Sequence, residues 1–400
     1  MNKKKCITIF KLIVSSILIG LVVGAIDTVF GRVLIKITNF RQENYMFLIP
    51  FLSIGGLIII YVYDKYGKNT ESGMNMVFET AQGKNDKIPL RLVPLITIST
   101  WITHLFGGSA GREGVAVQIG ATISDFFSEK LKIKECKKTL ILVGMAAGFA
   151  GLFQTPIASV FFALEVVFIG VIKYNALILA IISAFTSSYT SSMLGLEKFS
   201  FNLSSEISVN APFIIKLILI SFAFALVGKL FALSLKKLKS FFNKKIENKY
   251  KKIFFMSLIL SALLIIIIKG RYGGLGTNLI ELSFNRGDIY YFDWILKLIF
   301  TVFTLAIGFQ GGEVTPLFAI GSSLGAVLAL ILGLPIEFCA ALGYIGVFSA
   351  ATNTFIAPIF IGAEVFGFTY MPYYFIVCAI AYIFSGADSI YGKQIINKKS

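Results

Sequence analysis

Apolar segments recur along the whole 400-residue chain, and they limit its possible folds more than any other feature. Examples are the runs Leu12–Val29, Phe47–Tyr63 and Ala211–Leu235, and the last run is Tyr373–Phe384. Charged residues make up only 14% of the chain, against about 25% in a soluble domain. In lipid, helices satisfy their own backbone hydrogen bonds. The sequence therefore predicts an all-α integral membrane protein and argues against a soluble enzyme.

The net charge of +16 indicates orientation rather than nucleic-acid binding, because basic loops of membrane proteins stay in the cytoplasm. Lysines cluster at residues 65–68, 130–138 and 236–252 and at both ends of the chain. Lys3–Lys5 precede an apolar run that has no clear cleavage site, which favours a first membrane helix over a signal peptide. We expect a multi-pass protein of the plasma membrane with both termini cytoplasmic, and a basic surface helix at 236–252.

Few residues could support metal or nucleophilic chemistry. The four cysteines are far apart without a CxxC pair, and His104 is the only histidine. We expect no disulfide framework, metal, cofactor or catalytic residue. An intramembrane hydrolase that uses Glu113 and Glu313 as acid and base is an alternative, but it lacks a zinc ligand set and a paired serine or cysteine. The sequence therefore argues against an enzyme.

The two halves of the chain resemble each other. Residues 199 positions apart share glycine, threonine and glutamate in the pairs Gly144/Gly343, Thr155/Thr354 and Glu165/Glu364. Residues 201 positions apart share glycine in the pairs Gly111/Gly312 and Gly120/Gly321. Short apolar segments interrupted by glycine in corresponding places indicate a transporter built from inverted repeats, with its site near the midplane. We expect a single transmembrane domain with repeats at 1–200 and 201–400, made of tilted and re-entrant helices, without a soluble regulatory domain.

The most informative motif is the glycine-rich stretch 107–120, GGSAGREGVAVQIG, in which Arg112 and Glu113 lie between glycines. An ionisable group at membrane depth costs about 2.5–3.5 kcal/mol on insertion scales and is functional by default. The free N–H groups of a helix N-terminus bind anions. A carboxylate in that position can occupy the anion site and leave it when protonated. The alternative is an Arg112–Glu113 pair that only braces a loop.

Two further stretches have a similar design. In GFQGGEVTP (308–316), Glu313 and Thr315 supply an acid and a hydroxyl near the start of a helix. In SGMNM (72–76), a glycine precedes an amphipathic run. On its own, this third stretch is a weak signal.

Together and in this order, the three stretches resemble the CLC family of anion channels and proton-coupled exchangers, whose motifs are GSGIP, GREGP and GxFxP. The resemblance implies that these motifs lie at three helix ends that converge on the anion. The resemblance covers about residues 10–395, and GREG is complete at 111–114. It implies the CLC fold and a homodimer in which each subunit has its own pathway. The anion-binding residues that it implies are Met74, Asn75, Gly111, Arg112, Gly114, Val314, Thr315 and Tyr391. Phe78 either lines the pathway or packs in the core.

Several positions depart from the chloride-handling members. Met74 and Asn75 replace a serine and a glycine, Val314 takes the place of a phenylalanine, and Val166 that of an internal glutamate. GMN, GREGV and GGEVTP are instead similar to the fluoride-transporting branch, CLC-F. This resemblance implies fluoride/proton antiport, with Glu113 and Glu313 as gating and proton-coupling residues.

Fluoride export has a physical rationale. HF crosses membranes and ionises in the more alkaline cytoplasm, so a cell in acid accumulates fluoride and needs export driven by protons. Fluoride is strongly hydrated, and replacing its water requires strong hydrogen-bond donors in a narrow site. The alternative within the family is a chloride channel or a chloride/proton exchanger. We expect fluoride and protons as transported ions, a homodimer in a lipid bilayer, and no nucleic-acid partner.

Overall fold

The computed structural model describes residues 3–131, 136–204, 206–285 and 287–396, with side chains from residue 8 onward. Up to residue 193 the helices are α1 (Lys3–Glu43), α2 (Tyr45–Leu48), α3 (Leu52–Tyr66), α4 (Met74–Gln82), α5 (Leu92–Leu105), α6 (Glu113–Lys130), α7 (Lys137–Phe153), α8 (Pro156–Glu165) and α9 (Leu177–Met193). From residue 211 they are α10 (Ala211–Lys245), α11 (Lys249–Ile266), α12 (Thr277–Phe284), α13 (Asp293–Ile307), α14 (Val314–Leu332), α15 (Ile336–Thr352), α16 (Ile356–Phe366) and α17 (Met371–Ser385).

The helices confirm the predicted all-α membrane architecture. Within the described ranges, six helical segments are long and apolar enough to cross a membrane. They are Thr8–Glu43, Tyr45–Tyr66, Tyr174–Met193, Ala211–Lys245, Val314–Leu332 and Phe368–Ser385. The 41 residues of α1 would extend about 60 Å at 1.5 Å per residue, about twice the thickness of the hydrocarbon core. This helix must therefore tilt or project beyond the bilayer.

The basic stretch at 236–252 differs from the expected surface helix. The apolar helix α10 continues without a break through the lysines to Lys245, and α11 begins at Lys249. The side chain of Asn248 caps α11 by accepting the N–H groups of Tyr250 and Lys251, both at 3.0 Å. Lysine, leucine and phenylalanine are compatible with a helix, so nothing ends α10 where its apolar run ends. The basic stretch forms two helix ends and a short turn.

Matching glycines make equivalent close contacts in the two halves. A Cβ atom on Gly120 would overlap the carbonyl oxygen of Gly144, so α6 and α7 pack backbone to backbone. Gly321 and Gly343 bring α14 and α15 together in the same way. The segment at Gly111 pairs antiparallel with its counterpart in the second half. At this contact, equivalent segments of the two halves run in opposite directions, as in inverted repeats.

Two glutamates cap each other's helices across the repeats. Glu165, at the end of α8, accepts the backbone N–H groups of residues 355–357 at the start of α16, at 2.7–3.1 Å. Glu364, near the end of α16, accepts those of Ile157 and Ala158 at 3.2 and 2.8 Å. These N–H groups have no partner within their own helices. The two carboxylates therefore have a structural role in joining α8 to α16.

We expect Glu165→Ala to lower the thermal unfolding midpoint of the purified protein. Loss of a helix cap costs about 0.5–2 kcal/mol, and this change leaves three N–H groups at the start of α16 without an acceptor. Glu364→Ala removes the acceptor of two N–H groups and should cost less. An unfolding midpoint that is unchanged in both variants would contradict the structural role.

A short parallel pairing positions the C-terminal segment. Strand β1 (Phe168–Ile169) pairs with β2 (Ile395–Ile396). The side-chain amide of Gln394 donates to the carbonyl oxygens of Val166 and Thr352 at 2.7 and 2.8 Å. These contacts hold the last described residues against both halves of the chain. The division at residue 200 falls between α9 and α10 and stays a prediction.

Candidate functional site

Two glycine loops meet at the centre of the molecule, each just before a helix. Gly111 and Gly312 exchange two backbone hydrogen bonds, of 2.5 and 2.8 Å. A Cβ atom on Gly111 would lie 2.8 Å from Pro316 Cδ and 3.0 Å from the carbonyl oxygen of Gly312. Such contacts are too short, so the close approach requires glycine. The paired hydrogen bonds between Gly111 and Gly312 place the N-termini of α6 and α14 side by side.

Glu113 is the first residue of α6, and its side chain is fully buried. One carboxylate oxygen, Oε2, accepts the hydroxyl of Thr315 at 2.6 Å and the N–H of Thr315 at 3.1 Å. The N–H of Arg112 donates to the same oxygen at 3.3 Å. The carboxylate thus binds three donors at two helix N-termini, where a small anion would also bind.

Arg112 contacts Glu113 without completing its hydrogen bonding. Arg112 Nε lies 3.5 Å from Glu113 Oε1, and the arginine side chain is 12% exposed. Neither atom has a hydrogen-bond partner among the described residues. The strong hydrogen bonds of Glu113 come from Thr315 in the opposite repeat. The Arg112–Glu113 pair therefore exists, but bracing the loop does not account for the position of the carboxylate.

Gly114 lies where side chains from two other helix starts converge. A Cβ atom on it would lie 3.5 Å from Gly312 Cα, 3.7 Å from Glu313 Oε2 and 3.8 Å from Met74 Cε. Glu313 precedes α14 and is half-buried, and Met74 is the first residue of α4. Val314 is fully buried beside them. The three sequence motifs thus meet around Gly114, as predicted.

The start of α4 depends on Gly73. Its φ of +49° lies in a region that residues with side chains rarely adopt. Asn75, in the first turn of α4, lies near the C-terminal segment. A Cβ atom on Gly392 would lie 3.9 Å from Asn75 Oδ1. At the start of α4, Met74 thus lies near the two glycine loops, and Asn75 lies near the segment that contains Tyr391.

Tyr391 is 5% exposed and lies against two buried aromatic rings. Its ring centroid is 5.1 Å from that of Phe78 and 6.3 Å from that of Phe162. The Tyr391 hydroxyl has no hydrogen-bond partner in the described part of the chain. A buried hydroxyl usually has a partner, so this group is available to a ligand. Phe78 is fully buried, and it packs directly on this tyrosine.

Sequence analysis missed Gln118. This side chain of α6 is 6% exposed, and its Nε2 donates to the carbonyl oxygen of Gly114 at 3.2 Å. Its Oε1 has no partner among the described residues and would lie 3.1 Å from a Cβ atom on Gly73. The sequence feature that could have indicated it is a polar glutamine side chain between two apolar residues, Val117 and Ile119. Gln118 connects the starts of α4 and α6.

The unpaired polar atoms of this region share one property: burial without a partner among the described residues. They are Glu113 Oε1, Arg112 Nε, Gln118 Oε1 and Tyr391 Oη. Each of them costs about 1–3 kcal/mol if it stays unpaired. Water can donate to the two acceptors, Glu113 Oε1 and Gln118 Oε1, whereas the two donors, Arg112 Nε and Tyr391 Oη, can be satisfied by an anion or by water.

A family model described as "Voltage gated chloride channel" matches residues 55–386. The chain belongs to this family, the CLC family. The family predicted from the three motifs is thus confirmed.

Among CLC proteins, the chain is similar to a solved structure entitled "Crystal structure of a CLC-type fluoride/proton antiporter". The identity is 49% and the TM-score 0.97, over 99% of this chain and 100% of the other. A curated "Chloride/fluoride channel protein" of Pseudomonas syringae pv. tomato is 33% identical, over 94% of this chain and 84% of the relative.

A slow cyanobacterial Cl⁻/H⁺ antiporter shares the fold, with a TM-score of 0.82 over 95% of this chain and 96% of the other. At 19% identity, that likeness concerns the fold alone. The CLC fold predicted from the sequence is confirmed, and the roles of the individual site residues stay predictions.

Proposed function

We propose that this CLC protein is a fluoride/proton antiporter that exports fluoride across the plasma membrane. The observation that carries the proposal is the buried carboxylate of Glu113, which accepts three hydrogen bonds where two helix N-termini meet. A group that can leave this position on protonation links anion binding to proton binding. The similar solved structure, whose title names a fluoride/proton antiporter, supports fluoride as the anion.

In the proposed cycle, ionised Glu113 competes with fluoride for the donors of Thr315. Protonation removes the charge of the carboxylate, weakens these hydrogen bonds and lets the side chain withdraw. The neutral acid can then donate a hydrogen bond to the fluoride that replaces it. Fluoride binding and protonation of Glu113 are thereby linked, and antiport follows when the proton and the fluoride reach the site from opposite sides of the membrane.

The proton route is proposed to run through Glu113 itself. Val166 cannot titrate, so the chain lacks an ionisable side chain at that internal position. We propose that Glu313 assists in proton transfer, because it lies close to Gly114, the residue that follows Glu113. A Cβ atom on Gly114 would lie 3.7 Å from Glu313 Oε2. A glutamate restored at position 166 should therefore be unnecessary for coupling.

Fluoride coordination is proposed to use the donors around the carboxylate. They are the N–H groups at the starts of α6 and α14, the Thr315 hydroxyl, the Asn75 amide and the Tyr391 hydroxyl. Tyr391 Oη is buried and unpaired in the described part of the chain, so it can donate without losing another bond. Small, strongly hydrated anions need donors of this kind in place of water.

The site that we describe is complete within one chain, because Met74, Glu113, Thr315 and Tyr391 all belong to it. We propose that the chain forms a homodimer, as is typical of CLC proteins, and that each subunit has its own pathway. We further propose that both termini are cytoplasmic, since lysines cluster at both ends of the chain and in the basic stretch at 236–252, and basic segments of membrane proteins stay in the cytoplasm. The division into repeats at 1–200 and 201–400 belongs to the same proposal.

Reconstitution into liposomes tests the proposed activity. Fluoride and chloride efflux are recorded with ion-selective electrodes, and proton uptake is recorded in parallel. We expect fluoride efflux accompanied by proton uptake, and little chloride efflux. Equal passage of chloride would favour the chloride exchanger alternative. Fluoride flux without proton movement would favour a channel, the term in the name of the Pseudomonas relative.

A second variant pair identifies the acid that assists Glu113. We expect Glu313→Gln to reduce the proton-to-fluoride ratio, because it removes a titratable oxygen beside Gly114. Glu165→Gln should leave the ratio unchanged, because that carboxylate caps α16. Parallel fluoride and proton measurements in liposomes check both variants. The opposite result, with coupling lost only in Glu165→Gln, would show that the assisting acid is misassigned.

A further inference from the structure

A polar pocket lies apart from the anion site, at the C-terminal end of α1. It forms where α1 and the start of α2 meet the loop between α11 and α12. Its polar lining residues are Arg41, Gln42, Tyr45, Lys269, Arg271 and Asn278. The pocket thus brings three basic side chains together at the end of a membrane helix.

Two of the three positive charges are not balanced. Arg41 is 4% exposed, its Nη1 has no partner, and no described residue forms an ion pair with it. Lys269 is exposed and likewise has no ion-pair partner among the described residues. Arg271 is compensated, because it donates to both carboxylate oxygens of Asp293 at 3.0 and 2.7 Å.

An unpaired buried charge is costly, and folded proteins compensate it with a partner. A guanidinium presents a rigid fork of donors that matches the oxygens of a phosphate, and an ammonium adds a point charge. Arg41 and Lys269 face one pocket and carry two uncompensated charges. The ligand chemistry that fits is therefore a phosphate group.

The surroundings of the pocket indicate where this phosphate comes from. Phe40 and Phe47, which flank Arg41 along the chain, are 52% and 70% exposed. The ring of Tyr290 lies 4.9 Å from the guanidinium carbon of Arg271. Aromatic side chains at the ends of membrane helices lie at the level of the lipid headgroups. The apolar residues beside the pocket can contact acyl chains while the basic residues contact a headgroup.

We propose that this pocket binds the phosphate group of an anionic phospholipid. The proposal is independent of the transported ion. A bound lipid would join α1 to the loop that contains Gly274. Gly274 in turn exchanges backbone hydrogen bonds with Gly108 and Ala110 at 3.1 and 3.3 Å. Lys297 ties the same region together, because its Nζ donates to Gly274 O at 2.7 Å and to Ser109 Oγ at 2.9 Å.

Lipid titration of the full-length protein tests the proposal. The purified protein in detergent is titrated with phosphatidylglycerol or phosphatidylcholine, and bound lipid is counted by native mass spectrometry. The thermal unfolding midpoint is recorded in parallel. We expect one class of site that prefers phosphatidylglycerol and raises the midpoint. Arg41→Gln and Lys269→Gln should each weaken this binding by about tenfold or more, as expected for a lost charge-assisted hydrogen bond.

Lys68→Gln is the matched control, because Lys68 is exposed and does not line the pocket. It should keep the preference for phosphatidylglycerol. If Arg41→Gln does not fold, Lys269→Gln still decides the matter, because Lys269 is on the surface. Equal binding of both lipids, or equal weakening by Lys68→Gln, would overturn the proposal. A third titration uses inorganic phosphate, and full stabilisation by phosphate alone would overturn the assignment to a lipid.

Discussion

Replacement of Glu113 by glutamine is expected to abolish proton coupling while anion flux persists. Glutamine retains the size of the side chain but cannot bind and release a proton. Because its charge is absent, its oxygen also competes less well for the Thr315 hydroxyl and N–H, which now lie 2.6 and 3.1 Å from Oε2. Fluoride should then move down its gradient without proton uptake. Simultaneous fluoride and proton recordings from liposomes measure the change.

A suitable control for this variant is Glu281→Gln, which removes an exposed carboxylate of α12. This control should transport fluoride with unchanged proton coupling. If Glu113→Gln still moves fluoride uphill on a proton gradient, Glu113 is not the proton carrier. The assignment of the gate would then have to move to Glu313, the other acid at this site.

The architecture could be predicted because its determinants are local. Glycine interrupts the apolar runs where helices end, and matching glycines in the two halves lie at the matching close contacts, such as Gly120 with Gly144. The extent of α1 could not be predicted from hydropathy, since its apolar run ends near Val29 while the helix continues to Glu43. A tertiary contact explains part of the difference, because Arg32 Nη1 donates to the carbonyl oxygen of Leu194 at 3.0 Å.

The candidate site could be predicted only in part. Glu113 and Glu313 lie in glycine-rich motifs, where a charge among small residues is a visible signal. Gln118 lies in the same 107–120 stretch but between apolar residues rather than glycines, and its contact with the start of α4 depends on how α6 packs. Tyr391 meets Phe78 because a two-residue strand and the side-chain hydrogen bonds of Gln394 hold the C-terminal segment in place. Such a short pairing has no sequence periodicity that could indicate it.

The capping role of Glu165 and Glu364 also required the structure. Comparison of the two halves of the sequence paired Glu165 with Glu364 but indicated no function for either residue. A carboxylate that accepts the N–H groups of a distant helix leaves no local pattern in the sequence. Their capping role distinguishes Glu165 and Glu364 from Glu113 and Glu313, the two acids near Gly114 that we propose for proton coupling.

Selectivity for fluoride over chloride is expected to depend partly on Met74. Its Cε would lie 3.8 Å from a Cβ atom on Gly114, so the thioether fills space beside the anion site and offers no hydrogen-bond donor. Chloride is then left without one partner, which costs about 1–3 kcal/mol. Because about 1.4 kcal/mol is a factor of ten in affinity, this amounts to roughly one to two decades of discrimination. Fluoride loses less, since it accepts stronger hydrogen bonds from Thr315 and Asn75.

Met74→Ser should therefore raise chloride flux relative to fluoride flux by roughly tenfold or more, because it opens space and adds a hydroxyl. Met74→Leu is the matched control, since it keeps the volume and adds no donor, and it should retain the preference for fluoride. Efflux of both halides from the same liposomes gives the ratio directly. If Met74→Leu admits chloride as readily as Met74→Ser, packing around the thioether decides selectivity rather than the missing donor. If neither variant changes the ratio, discrimination arises at the donors of Thr315, Asn75 and Tyr391, and Met74 only closes the site.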